Sequence, residues 1–240
     1  MINKKIKKLI IVAPSGGLAS YIALNLLDLN FKNNKQYHDQ FYNFNTAFQD
    51  VGIDYFLQNN IALQVHQWSD NFNKVFSITE VDVVQIIIDK FPELVLLNWF
   101  YKRPKEEIQN WLNEQGNLWK DKGNIEIASY VWMNKMYDSE FIDIKRISNI
   151  EKTFNFSSVY GDYEEAKGEF QKFGIEYSEE KHKNFLLSQK NILEKWQELL
   201  SCYKNNPMSM KEPFVRGISL ALHARFFSIS QQEIIKKFKL

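Results

Sequence analysis

Ser15, Gly16, Gly17 and Ser20 are the first residues in this chain whose types and spacing can do chemistry. They follow a short apolar run, Ile10 to Ala13, and precede a helix-like stretch, so Pro14-Ser15-Gly16-Gly17 reads as a loop between a strand and a helix. Backbone amides at a helix N-terminus point toward any anion placed there, and the helix dipole adds to the attraction. Glycines let the backbone curl close to phosphate oxygens, and the two serines add hydroxyl donors. The alternative is an ordinary tight connection, because the full G-x-x-x-x-G-K-[ST] motif of nucleoside triphosphatases is absent. A second anchor for nucleotide chemistry is the apolar run Val81 to Ile88, which ends at Asp89 in the manner of a strand whose carboxylate meets Mg²⁺.

Other chemistries are poorly provided for. The single Cys202 excludes an intrachain disulfide and any cysteine-rich zinc site, and suits a reducing cytoplasm. His38, His66, His182 and His223 are scattered, with no H-E-x-x-H pair, so no metal is expected. His182 and His223 fall in helix-like stretches and read as structural or exposed. No G-x-S-x-G elbow supports a serine hydrolase. A formal charge of +1 argues against a protein that coats nucleic acid. The first apolar run is too short for an export signal, and nothing approaches a membrane span.

The elements that must position these residues follow from the apolar patterning. At 240 residues, with 45% hydrophobic and 15% aromatic content, the expectation is a single α/β domain over 1–240. Residues 8–13, 61–65 and 81–88 read as short strands buried on both faces of a parallel sheet. Residues 21–29 and a stretch opening at Pro92 read as helices between them. Residues 30–60, rich in Asn, Gln and aromatics, predict irregular structure with short helices. A helix is expected from Pro104, then short strands in "IDIKRIS" (142–148) and "FNFSSVYG" (154–161). Helices are expected at 162–173, 178–200 and 212–227, and a capping signal runs from Ser230 to Glu233. The portion from about 162 to 240 is thus helical.

Taken in order, several of these stretches resemble the sulfotransferase superfamily. "APSGGLASY" (13–21) is similar to its opening loop, in the S-G-G form of phage-encoded sulfotransferase-like proteins. "QVH" (64–66) is similar to the K-T-H that ends a later strand and carries the base. Lys90-Phe91-Pro92, with Asn98 eight residues after Lys90, is similar to an R-N-P followed by a Ser that together hold a 3′-phosphate. Tyr160-Gly161-Asp162-Tyr163 is similar to the segment beside the adenine. The order and rough separations agree over most of the first 165 residues. Each match departs from the pattern at a charged or polar position: the loop has no Lys, Gln64 stands for Lys, Lys90 for Arg and Asn98 for Ser.

The resemblance implies a central parallel sheet of P-loop-like type and transfer of a sulfuryl group from 3′-phosphoadenosine 5′-phosphosulfate. The acceptor, a small molecule or glycan hydroxyl or amine, is not written in the sequence, nor is the oligomeric state. It implies His66 as base, suited by its near-neutral pKa. It also implies Ser15, Gly16, Gly17, Ser20, Lys90, Asn98 and Tyr160 as donor-binding residues. The missing loop lysine leaves a second reading open, a binding or accessory protein on the same frame that has lost catalysis. A Mg²⁺-dependent nucleotide kinase, built on the loop and Asp89, is a third.

Overall fold

A computed structural model describes residues 7–14, 16–27, 41–44, 51–65, 70–108, 110, 124–138, 147 and 149–238. The chain divides into two compact units, residues 1–91 with 141–188, and residues 92–140 with 189–240.

The first unit is an α/β layer structure. Its five strands are β1 (Lys8–Val12), β2 (Phe41–Phe44), β3 (Ala62–Val65), β4 (Val81–Ile87) and β5 (Lys152–Asn155). They pair in the order β2-β3-β1-β4-β5, every pair parallel. Leu9, Ile10, Ile11 and Val12 are fully buried, which is why β1 reads as an unbroken apolar run: a central parallel strand has no solvent face to pattern. Gln85 interrupts β4 at no solvent exposure, and its side-chain oxygen accepts from the Ile147 amide at 2.9 Å. One core layer joins Ile10, Val12, Leu63 and Val65 to Phe56, Phe72 and Val75.

Helices α1 (Ala19–Leu26) and α2 (Val51–Asn59) follow β1 and β2, and a 3-10 helix (Asp70–Ser77) follows β3. Lys8, at the start of β1, donates to the carbonyls of Leu57 (2.5 Å) and Asn60 (2.8 Å), capping the C-terminus of α2 with positive charge. Beyond β5 come a 3-10 helix (Phe156–Tyr160), α5 (Tyr163–Gln171) and α6 (Glu179–Ser188). Asp162 caps α5, its carboxylate accepting from the Glu165 amide at 2.9 Å.

The second unit is helical: α3 (Pro92–Lys102), a turn of helix at 105–108, α4 (Ile125–Tyr137), α7 (Lys190–Cys202), α8 (Pro213–Phe227) and α9 (Gln231–Phe238). Asn124 caps α4 by accepting from the amides of Glu126 and Ile127. Trp99 meets Trp132 at 4.8 Å, and Phe100 stacks on Phe214 at 4.3 Å. Arg216 of α8 forks onto one carboxylate oxygen of the buried Glu126, at 2.9 and 2.7 Å. Gly217 lies so close to α4 that a Cβ there would overlap Ser129 Oγ and the Glu126 carbonyl.

Several expectations shift. The 30–60 stretch holds a short helix, α2, as expected, and also the strand β2, which was not expected. The strand expected at 154–161 lies at Lys152–Asn155, and the rest of that stretch turns into the 3-10 helix. The long helix expected at 178–200 is two helices that part at Gln189, where Ser188 Oγ bonds the Phe185 carbonyl at 2.6 Å. The strand expected at 142–148 lies largely outside the described residues. Residues after Tyr160 are helices and turns, as expected, and they divide between the two units.

Candidate functional site

In an open parallel sheet, ligands settle at the carboxyl ends of strands, where neighbouring connections leave in opposite directions. Here that point lies between β1, whose connection leads to β2 on one side, and β4, whose connection leads to β5 on the other. The loop after β1 carries Pro14 to Leu18, and the loop after β4 carries Asp89 to Phe91.

Backbone strain collects at these two loops. Three non-glycine residues among those described have positive φ, and two of them are Leu18 (60°) and Phe91 (58°). Each such conformation costs about 1 kcal/mol or more and persists only where surrounding structure imposes it. The first loop is a tight turn: the Gly17 amide donates to the Pro14 carbonyl at 2.9 Å, and Gly16 sits at φ 90°. A positive φ at the third residue of a turn favours glycine. The Gly17 amide is therefore spent on the turn and does not face a ligand.

The amides that remain for an anion are those of the first turn of α1. Leu18 caps the helix without a side-chain acceptor, and no acid occupies the first turn. The first intrahelical bond there runs from the Ile22 amide to Leu18 O at 3.0 Å. The amides of Ala19 and Ser20 thus precede the intrahelical ladder, at the positive end of the helix dipole. Ser20 is exposed beside them.

Tyr160 is brought to this edge of the sheet from the far side. Its ring and that of Tyr21 both pack on Phe185, at 5.4 and 4.4 Å. The first turn of α1 and the segment after β5, distant in sequence, thus share one aromatic wall. Behind it runs a hydrogen-bonded chain. The Tyr21 and Tyr177 hydroxyls meet at 2.5 Å, Tyr177 lies 3.5 Å from His182 Nδ1, and His182 Nε2 lies 3.2 Å from the Gly161 carbonyl. A carbonyl only accepts, so Nε2 of the neutral ring carries the proton and Nδ1 accepts. Tyr177 then donates to His182, and Tyr21 donates to Tyr177. Burial pushes the Tyr177 hydroxyl up to about 12, the bond from Tyr21 opposing it. Burial, and then its donated bond, drive the Tyr21 hydroxyl far above the ordinary phenol value.

Lys90 is exposed at the carboxyl end of β4. Its neighbour Asp89 is engaged within the protein: one carboxylate oxygen accepts from the Ser157 amide at 3.0 Å and the other from the Ser157 hydroxyl. Asp89 thus ties the loop after β4 to the segment after β5. Asn98 belongs to the helical unit, where it is 1% exposed and its amide donates to Leu94 O at 2.8 Å. That is a packing role. Ser15 and His66 lie outside the described residues. His182 and His223 are both buried, with a ring nitrogen on a backbone carbonyl, and Arg216 of α8 is committed to Glu126. Arg103 pairs with Glu107 at 2.9 Å.

Sequence reasoning did not find Tyr21, Tyr177 or Phe185. Each reads as ordinary helix or loop filling, and only the fold juxtaposes them. Among the described residues no group of three or more His, Cys, Asp or Glu side chains is placed to hold a metal ion, and no helix is long and apolar enough to cross a membrane. Comparison of the chain with protein-family models, with curated proteins and with solved structures gives no match.

Proposed function

We propose that the sheet unit binds the 3′-phosphoadenosine moiety of a sulfuryl donor at the carboxyl ends of β1, β4 and β5, in the manner of sulfotransferases. The observation that carries this reading is the meeting of three features at one edge of a parallel sheet. These are a glycine turn behind the central strand, an acid-free helix start without a side-chain cap, and the Tyr160 segment joined to them across Phe185. The first-turn amides of α1 and the Ser20 hydroxyl would receive an anionic group, Lys90 would add positive charge, and the Tyr160 wall would meet a planar base.

Sulfuryl transfer needs alignment and stabilisation of charge on the leaving phosphate. His66 is the proposed base for the acceptor hydroxyl or amine. With no lysine in the loop, the amides of α1 and Lys90 would carry the leaving-group charge, and slow turnover is the expectation. The engagement of both Asp89 oxygens by Ser157 disfavours the kinase reading, which needs that carboxylate for Mg²⁺. A catalytically lapsed binder on the same frame remains the second reading, favoured by the spent Gly17 amide.

Calorimetric titration with 3′-phosphoadenosine 5′-phosphate, against ATP plus Mg²⁺, tests the binding. Metal-independent binding of the former supports the donor site. Binding of ATP alone, dependent on Mg²⁺, or silence toward both, overturns it. If turnover is found with an acceptor, His66→Ala is expected to lower kcat by about 10²- to 10⁴-fold, and unchanged turnover would remove His66 from the mechanism.

A further inference from the structure

At the C-terminal end of α8, Phe226 and Phe227 are 52% and 50% exposed. Their rings are 4.9 Å apart and close to perpendicular. Two adjacent half-exposed rings leave apolar burial unused within the unit. Cations and further rings accompany them. Lys204 Nζ stands 4.4 Å from the centre of the Phe226 ring, and Tyr203 meets the same ring edge-on. His223 packs on both Phe227 and Phe238, and Lys237 lies over Phe238 at 5.1 Å.

The charge of this region is lopsided. Residues 203–240 hold seven Lys and Arg against two Glu and no Asp, in a chain whose formal charge is +1. Both glutamates are occupied: Glu233 closes a capping box with Ser230, and Glu212 accepts from the Tyr101 hydroxyl. Two of the cations are occupied as well, Arg216 by Glu126 and Arg225 by Asp138 at 2.7 Å. Of the lysines, Lys204 and Lys237 stand beside these rings, and an anionic partner is their complement.

Around the same helix end lies a cleft of about 410 Å³ lined by Tyr130, Asn134, Asp138, Arg225, Ser228 and Gln231, among others. Side-chain amides and hydroxyls pair with the edges of nucleobases, and the Asp138 carboxylate, which also holds Arg225, can accept from a base amino group. A lipid surface would use the phenylalanines and lysines but has no use for such a cleft. A duplex keeps its base faces stacked and out of reach of the rings.

We propose that the corner between α8 and α9 binds single-stranded nucleic acid, bases stacking on Phe226 and Phe227, backbone phosphates meeting Lys204 and Lys237, and a base edge entering the Asn134–Gln231 cleft. This is a local site on a chain of nearly neutral charge, independent of the donor site in the sheet unit.

Fluorescence anisotropy of the full chain with labelled oligothymidine and oligouridine strands of about 12 nucleotides, within the range one binding module covers, tests it. The two strands distinguish DNA from RNA as the source. Binding of either should weaken with salt, with a log–log slope of about −1 to −2, at ~0.7 per phosphate neutralised. Phe226→Ala should weaken binding about 5- to 150-fold, and Lys204→Gln should flatten the salt slope. Equal affinity for a duplex overturns the proposal. So does Phe226→Ala without effect, or sedimentation with phosphatidylserine vesicles while both strands are ignored. Should Phe226→Ala lose its helical circular dichroism, the exposed Lys204→Gln decides: an unchanged salt slope and affinity overturn the proposal.

Discussion

The turn at Gly16 and Gly17 offers a test in which two adjacent glycines answer to different physics. Gly16 sits at φ 90°, a region that an L side chain enters at a cost of about 1–2 kcal/mol. Gly17 is not at positive φ, and its difficulty is contact: a Cβ there would stand 3.0 Å from the Pro14 carbonyl oxygen and 3.1 Å from Pro14 Cδ. An alanine at Gly17 also narrows the unfolded ensemble, a gain of roughly 0.4–1 kcal/mol that offsets a shift of a few tenths of an ångström by Pro14. Gly16→Ala should therefore cost about 1–2 kcal/mol, and Gly17→Ala should fall within about 0.5 kcal/mol of neutral. In urea unfolding followed by far-ultraviolet circular dichroism, with a slope near 2 kcal/mol per molar, the first is a midpoint drop of about 0.5–1 M. The second is a drop of about 0.25 M or less. Gly16→Ala should also weaken 3′-phosphoadenosine 5′-phosphate more than Gly17→Ala does, since it re-aims the chain entering α1. Equal losses in the two variants, or none at Gly16, would refute the assignment of backbone strain to Gly16.

Three further outcomes are expected. Tyr177→Phe removes the acceptor of Tyr21 and a donor to His182, and should cost about 1–2 kcal/mol in the same unfolding assay. Burial raises the Tyr177 hydroxyl from the ordinary phenol range, about 10, to about 12, so its contribution is complete below pH 10 and lost as pH climbs through 12. Wild-type stability should thus fall more steeply over that window than that of Tyr177→Phe. Gly217→Ala, which on an open helix would gain about 1 kcal/mol, should instead lose 1–3 kcal/mol by overpacking against α4; a raised melting temperature would contradict the close approach. Arg216→Ala strands the Glu126 carboxylate, 7% exposed as a residue, and should cost about 3 kcal/mol. Adding Glu126→Ala should recover part of that loss, as a double-mutant cycle would register.

What the sequence discloses depends on whether an element's partners leave a pattern in it. β1 and the middle of β4 are buried on both faces, so their apolar runs are unbroken and their positions are legible to within a residue. Among the described strands β2 pairs with β3 alone, in a stretch crowded with Asn and aromatics, and nothing in its four residues distinguishes a strand. β5 alternates Phe154 and Phe156 plausibly past its true end. The chain leaves the sheet at Asn155 because Asp89, distant in sequence, takes the Ser157 amide and hydroxyl. The break at Gln189 is equally hidden, since no Gly or Pro marks it and the helical periodicity runs through. α4 is apolar around most of its circumference and shows no stripe to read. At the candidate site, the glycine turn and Lys90 were legible as local features. The wall of Tyr21, Tyr160 and Phe185 was not, because its members come from helices and loops with no shared local signal.

The helical unit interrupts the sheet unit, entering after Phe91 and leaving before Phe141, and then resumes at Gln189. On a ribosome this order becomes a schedule. Once Ser188 has emerged, the sheet unit has every strand and helix it needs, whereas α3 and α4 still await α7 and α8. The face of α4 that closes on Gly217 and Arg216 stays uncovered until α8 is made, about 40 residues later. At ~5–20 residues per second that is an interval of roughly 2–8 s, in which the apolar faces that α7 and α8 will cover are open to chaperones. The sheet unit can by then have folded on its own.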